Sequence, residues 1–168
     1  VDFTGAEGVG NVSALIDYNE HTVILVINAN AVGSVGIYGS GGVAGDGEVY
    51  MTKNGGGGFG NSSYRGAVSN AHSSTFVVAG TFSILIQRVS ATTMTFIEDG
   101  DQIDTFAMSG THGGTLTGIV IGNDNLSGNG ITGSIGEVLV YSSAVSDADL
   151  NTLCNTLATK WSVPWTNL

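Results

Sequence analysis

Positively charged residues are scarce in this sequence. Its 168 residues contain four Lys and Arg against fourteen Asp and Glu, which gives a formal net charge of −10. Charged residues make up 11% of the chain, whereas about 25% is usual for soluble domains. Such a composition lacks the basic stripe that neutralises phosphates. The sequence therefore argues against nucleic acid and anionic membranes as partners.

Cysteine and long apolar runs are scarce as well. Cys154 is the one cysteine, so no disulfide can form within the chain. We expect Cys154 to be a small buried hydrophobe rather than a nucleophile, because no neighbour in sequence would lower its pKa. The longest apolar run, TVILVI, is far shorter than the roughly 20 residues that span a bilayer. We predict no membrane insertion.

Glycine, by contrast, is abundant, with 27 residues and no collagen-like period. The hydrophobic content is 42%, and no change in composition divides the chain, so we predict one domain over residues 1–168. Short apolar segments between turn residues indicate about ten strands, typical of a two-sheet sandwich rather than of alternating β/α units.

Several segments carry this prediction. Residues 21–28 form a continuous apolar strand, and residues 74–80 form a further strand. Residues 93–108 are predicted to form a hairpin, in which Asp99 and Gly100 favour a tight type I′ turn. The segment NGGGGFGN, residues 54–61, is predicted to be a loop.

The chain ends with a strand and an amphipathic helix. Ile135, Glu137, Leu139 and Tyr141 alternate with apolar residues and glycine, as expected of a strand inside a sandwich. Ser146 is the predicted N-cap of a helix at about 146–161, with Asp149 three positions later completing a capping box. The apolar stripe of this helix must be buried; it consists of Leu150, Leu153, Cys154, Leu157 and Trp161.

The order of these segments resembles the concanavalin A-like lectin/glucanase superfamily, in particular its laminin G-like (pentraxin/laminin-type) modules from bacteria and phages. The segments that carry the resemblance are HTVILVIN, FIEDGDQID, GIVIGND, GITGSIGEVLVYSSAVSDADL and LATKW. The resemblance implies an all-β fold, a two-sheet antiparallel jelly-roll β-sandwich with one C-terminal amphipathic helix packed over an edge or a face.

A glycoside hydrolase, as found in this superfamily, is the least favoured function. Retaining enzymes place two carboxylates about 5 Å apart, and the related E-x-D-x-x-E strand pattern is missing here, since Glu137 stands alone in its strand. Four further acids, Glu98, Asp99, Asp101 and Asp104, surround the predicted turn, where we expect them to be solvated. We therefore predict that the protein is not an enzyme.

Two other functions stay open. The first is a non-catalytic recognition module that binds a glycan or another surface ligand, displayed outside the cell or on a virion. The second is a structural phage virion protein, either a capsid decoration or a tail appendage, which would contact neighbouring virion proteins. Fold alone does not decide between them.

Candidate binding residues fall in two regions. Around the glycine-rich segment, aromatic, amide and guanidinium groups of the kind that bind sugars or protein partners are supplied by Tyr50, Phe59, Asn61, Tyr64 and Arg65. Near the third quarter of the chain, oxygen ligands for calcium would come from Asn123, Asp124, Asn125 and Asn129. The alternative for the second region is an Asx-rich turn without metal. The histidines, His21, His72 and His112, lack metal-site spacing.

Overall fold

The computed structural model describes part of the chain: residues 2–4, 9–12, 16–17, 19–29, 35–40, 49–53, 59–65, 68–74, 80–108, 115–116, 119–121 and 132–168. These residues contain fourteen strands and one helix. The elements are β1 (Asp2–Thr4), β2 (Val9–Val12), β3 (Ile16–Asp17), β4 (His21–Ala29), β5 (Val35–Ser40), β6 (Val49–Lys53), β7 (Phe59–Arg65), β8 (Val68–Ser74), β9 (Ser83–Val89), β10 (Thr93–Glu98), β11 (Asp101–Ala107), β12 (Thr115–Leu116), β13 (Ile119–Ile121), β14 (Thr132–Tyr141) and α1 (Asp147–Trp161).

The strands pair antiparallel throughout. One six-stranded sheet has the order β1-β14-β4-β9-β10-β11, and a second has the order β2-β13-β5-β6-β7-β8. Strands β12 and β3 form a separate pair. The chain is therefore all-β with a single described helix, as the sequence predicts.

The first sheet is buried on both faces at its centre. In β4 and β9, the side chains of Ile24, Val26, Ile84 and Ile86 belong to the core cluster that includes the helix. Leu25, which alternates with them in β4, is also fully buried. Strands covered on both faces read as continuous apolar runs, which explains why the segment HTVILVIN lacks a polar face.

The β10–β11 hairpin is confirmed, including its turn. Asp99 and Gly100 have φ angles of 52° and 91°, the positive values that a type I′ turn requires at both central residues. The carboxylate of Asp99 accepts a hydrogen bond of 2.7 Å from the backbone N–H of Ile84 on β9. The turn is thereby tied to the neighbouring strand.

Helix α1 packs on a face of the first sheet. Its buried residues are Leu150, Cys154, Leu157 and Ala158, and they share one core cluster with side chains of β4, β9 and β10. At the N-terminus, Ser146 caps the helix: its hydroxyl accepts a 3.2 Å hydrogen bond from the backbone N–H of Asp149 and donates a 2.6 Å bond to the Asp149 carboxylate. The predicted apolar stripe and N-cap are both confirmed.

One expectation is wrong, two strands were not predicted, and one predicted strand lies mostly outside the described residues. Residues 54–61 are not all loop, since strand β7 begins at Phe59; residues 54–58 lie outside the described residues. Strands β7 and β8 have no counterpart in the sequence-based prediction because the segments FGNSSYR and VSNAHSS lack apolar alternation. Most of the predicted strand at 74–80 lies outside the described residues.

The alternation predicted for β14 is interrupted at Gly136. Ile135 pairs with Ile27, but Glu137 pairs with Val26, so the register shifts between these two residues. Paired residues of an antiparallel ladder share a face. Ile135 therefore lies on the opposite face from Glu137, rather than on the same face as the sequence predicted.

Candidate functional site

Glu137, the isolated carboxylate of the last strand, is held by two residues at the end of α1. Its Oε1 accepts a 2.7 Å hydrogen bond from the Trp161 indole N–H and lies 2.7 Å from the Lys160 ammonium. The hydrogen bonds from Lys160 and then from Trp161 hold the pKa of the Glu137 carboxyl below its usual value. A carboxylate kept ionised by two donors is a poor general acid. Its position instead connects strand β14 to the helix.

Gly136 makes this contact between strand and helix possible. A Cβ added at Gly136 would lie 2.6 Å from Cη2 and Cζ2 of the Trp161 ring, closer than carbon atoms can approach. The Trp161 ring also contacts Phe82, with ring centroids 4.9 Å apart. The glycine at the register shift in β14 therefore provides the space that the indole occupies.

Glu98 is buried, in contrast to the solvated position expected for it. The residue is 7% exposed, and burial, reinforced by the nearby charge of Asp99, raises the pKa of its carboxyl to about 7. Its Oε2 has no hydrogen-bond partner among the described residues. Burial likewise raises the pKa of Asp99, whereas Asp101 is exposed as predicted. The side chain of Asp104 lies outside the described residues.

A raised carboxyl pKa is common in catalytic acids, but burial here works against that role. A general acid must come within hydrogen-bond reach of its substrate, and the exposed fraction of Glu98 is small. The backbone of Asp99 also accepts a 2.9 Å hydrogen bond from the N–H of Thr166. The C-terminal segment therefore crosses the turn that follows Glu98.

A groove lies where β14 leads into α1. Its volume is about 550 Å³. Tyr141 and Leu153 contribute apolar surface and are partly exposed, while most of the remaining side chains carry hydroxyl or carboxyl groups. The lining consists of Tyr141, Ser143, Ala144, Val145, Ser146, Asp149, Thr152 and Leu153.

No pattern in the sequence indicates this groove. Its lining comes from the end of a strand, the connecting segment and the exposed side of the first helical turns, which the sequence shows only as a helix start. The combination of an aromatic ring with hydroxyl groups and one carboxylate can stack on a ring and hydrogen-bond to hydroxyls. We call it the β14–α1 groove.

The five predicted ligand-binding residues lie on two neighbouring strands of the second sheet. Tyr50 is on β6, paired with Ser62 of β7. Phe59 is the first residue of β7 and Arg65 the last. At about 3.3 Å per residue, six residue steps of strand separate these two backbones by roughly 20 Å.

Asn61 and Tyr64 lie between Phe59 and Arg65 on β7. The five residues therefore follow a stretch of adjacent strands rather than flank one loop. Their side chains lie outside the described part, and their role in binding stays a prediction.

The predicted calcium ligands, Asn123, Asp124, Asn125 and Asn129, lie outside the described residues. In the part of the chain that is described, no group of three or more His, Cys, Asp or Glu residues is arranged to hold a metal ion. His21 is fully buried, and His72 lies on β8. His112 lies outside the described range.

Cys154 is the buried residue that the sequence predicts. It is fully buried and unpaired, and burial raises the pKa of its thiol to about 12. The thiolate is the reactive form of cysteine, so this thiol is unreactive at neutral pH.

Among the described residues, no helix has the length and apolar character to cross a bilayer.

Solved structures with a similar fold include carbohydrate-binding proteins. A carbohydrate-binding module of family 40 from the Ruminococcus gnavus intramolecular trans-sialidase, bound to α2,3-sialyllactose, has a TM-score of 0.72 at 14% identity, covering 91% of this chain and 95% of that one. The leech intramolecular trans-sialidase has a TM-score of 0.73 at 17% identity, covering 90% of this chain but 26% of the enzyme. Domains LG4-5 of the mouse laminin α1 chain have a TM-score of 0.69 at 14% identity, covering 86% and 43%.

At these identities the structural similarity shows the fold, a jelly-roll sandwich. A search of curated protein sequences finds no match. The sequence itself matches a laminin G-type family model over residues 8–151, which is most of the chain. The protein therefore belongs to the concanavalin A-like lectin/glucanase superfamily.

Proposed function

We propose that this protein is a non-catalytic recognition module that binds a glycan. The observation that carries the proposal is the match to the R. gnavus carbohydrate-binding module, which extends over nearly the full length of both chains. The match to the leech enzyme covers about a quarter of that protein. The similarity therefore extends over a whole binding module but over only a part of a sialidase.

The described carboxylates support the non-catalytic part of the proposal. Glu137 is ion-paired with Lys160 and hydrogen-bonded to Trp161. Glu98 is buried beside a turn that the C-terminal segment crosses. Neither is an exposed member of the closely spaced pair that glycoside hydrolysis requires.

Two surfaces are candidates for the glycan. One is the stretch of β6 and β7 that carries Tyr50, Phe59, Asn61, Tyr64 and Arg65. The other is the β14–α1 groove, in which a partly exposed Tyr141 lies beside hydroxyl-bearing residues. Aromatic rings with a few placed polar groups are the usual lining of such sites.

A glycan array on the intact protein tests the proposal. We expect signal from at least one glycan, and its absence across a broad array would contradict the proposal. The double variant Phe59→Ala/Arg65→Ala tests the strand surface. Thr152→Lys tests the groove, because Thr152 is exposed on the helix and lysine is a good helix former.

The double variant Phe59→Ala/Arg65→Ala and the variant Thr152→Lys serve as controls for each other. Loss of signal in one, at an unchanged melting temperature, assigns the glycan to that surface. If both variants bind as strongly as wild type, the glycan binds elsewhere and both surface assignments are wrong.

Display outside a cell or on a virion remains part of the proposal. The low content of Lys and Arg and the abundance of neutral polar residues favour it. A structural role in a phage particle is the alternative, and it predicts a regular array of this protein in images of purified particles.

A further inference from the structure

The distribution of positive charge bears on the chemical class of the ligand. The chain has four Lys and Arg residues, and two of them are engaged in described contacts. Arg88, which is 18% exposed, donates to the backbone carbonyl of Val145 and pairs with Asp147. Lys160 pairs with Glu137. Both cations attach the helix to the first sheet.

The other two cations lie on the second sheet, at separate places. Lys53 is the last residue of β6 and pairs with Phe59, the first residue of β7. Arg65 is the last residue of β7. With a rise of about 3.3 Å per residue, their backbones are roughly 20 Å apart, so a carboxylate bound on this sheet would meet at most one of the two cations.

The described lining of the β14–α1 groove carries no cation. The eight residues that line it include neither Lys nor Arg, and its one ionisable acid is Asp149. A sugar carboxylate placed there would face a carboxylate. The hydroxyl groups of Ser143, Ser146 and Thr152 and the Asp149 oxygens match instead the hydroxyl groups of an uncharged sugar.

The net charge of the protein also disfavours an anionic ligand. At −10, the net charge disfavours anions near the protein surface, an effect that decays over about 8 Å at physiological ionic strength. We propose, on the basis of the proposed function, that the ligand is an uncharged glycan and that sialylated or sulfated forms of the same glycan bind more weakly. This separates the protein from the sialyllactose-binding module that shares its fold.

Matched pairs of glycans test this inference on the intact protein. Each pair consists of a neutral oligosaccharide, such as lactose, and the same core carrying one sialic acid or one sulfate. Affinities are measured at about 0.01 M and about 1 M salt, where the screening length is about 30 Å and about 3 Å. The variants Lys53→Gln and Arg65→Gln are measured alongside.

We expect the neutral member of at least one pair to bind on the order of tenfold more tightly than its anionic partner at low salt, with a smaller difference at high salt. Tighter binding of the anionic member, lost in Arg65→Gln or Lys53→Gln, would overturn the inference and leave the proposed function intact. Binding of neither member in any pair would contradict the proposed function itself.

Discussion

Replacement of Gly136 by alanine should destabilise the protein through one neighbour, Trp161. The three atoms nearest to the added Cβ all belong to the indole: Cη2 and Cζ2 at 2.6 Å and Cε2 at 2.9 Å. Gly136 is not among the described glycines with positive φ, so alanine is compatible with its backbone. The clash with the ring is therefore the main expected cost.

The expected loss of stability follows from the contacts that the Trp161 ring would lose. Overpacking costs about 1–3 kcal/mol in folded proteins, and here the displaced indole would also leave Phe82 and the 2.7 Å bond to Glu137. Trp161 is partly buried, so Trp161→Ala should cost about 2–3 kcal/mol, somewhat below the range for fully buried rings.

A double-mutant cycle, measured by urea denaturation, shows whether the cost of Gly136→Ala comes from the clash with Trp161. In wild type, Gly136→Ala should lower the free energy of unfolding by about 1–3 kcal/mol. In the Trp161→Ala background the clash is gone, and the same change should stabilise by about 0.4–1 kcal/mol, because alanine restricts the unfolded chain. An equal loss in both backgrounds would refute the proposed packing of strand and helix.

Four further results are expected. Gly100→Ala should destabilise the protein, because Gly100 has a φ of 91° and its added Cβ would overlap the Thr166 carbonyl; wild-type stability in urea would contradict this. Because the pKa of Glu98 is raised in the fold from 4.5 to about 7, wild type should lose roughly 3 kcal/mol relative to Glu98→Gln as pH rises from about 4.5 to above 7; a pH-independent difference would show that Glu98 is not buried as described. Cys154 should resist alkylation in the native protein and react once it is unfolded, and rapid native labelling would disprove its burial. Calcium, if it binds, should depend on Asp124, and equal calorimetric titrations of wild type and Asp124→Ala would place the metal elsewhere.

Local signals made parts of the fold predictable. The Ser146 cap, the apolar spacing of α1 and the Asp99-Gly100 pair each specify their structure within a few residues of sequence, and the structure confirms all three. The resemblance added the sandwich to which these elements belong. The order of the segments carried that resemblance more than any single segment did.

Other features depend on contacts that no local pattern reveals. Strands β7 and β8 form by pairing with neighbours although their sequences are polar. The register shift in β14 lies at Gly136, where the Trp161 indole packs. The burial of Glu98 likewise follows from tertiary packing, since a carboxylate next to a tight turn is ordinarily solvated.

The candidate site was also only partly predictable from the sequence. Residue types alone suggested a binding role for Tyr50, Phe59, Asn61, Tyr64 and Arg65. Strand pairing shows in addition that they lie on the adjacent strands β6 and β7, spread over about 20 Å. The β14–α1 groove brings Tyr141 next to residues of the first helical turns. That proximity depends on how the helix docks, which the sequence left open between an edge and a face.

Saturation-transfer NMR on the intact protein with a mixture of neutral oligosaccharides tests the central claim most directly, because one experiment reports both binding and cleavage. We predict transfer from the protein to the ring protons of at least one oligosaccharide, with the oligosaccharide signals unchanged in intensity over a day. Absence of transfer to every sugar would contradict glycan recognition, and new reducing-end signals that grow with time would contradict the non-catalytic function.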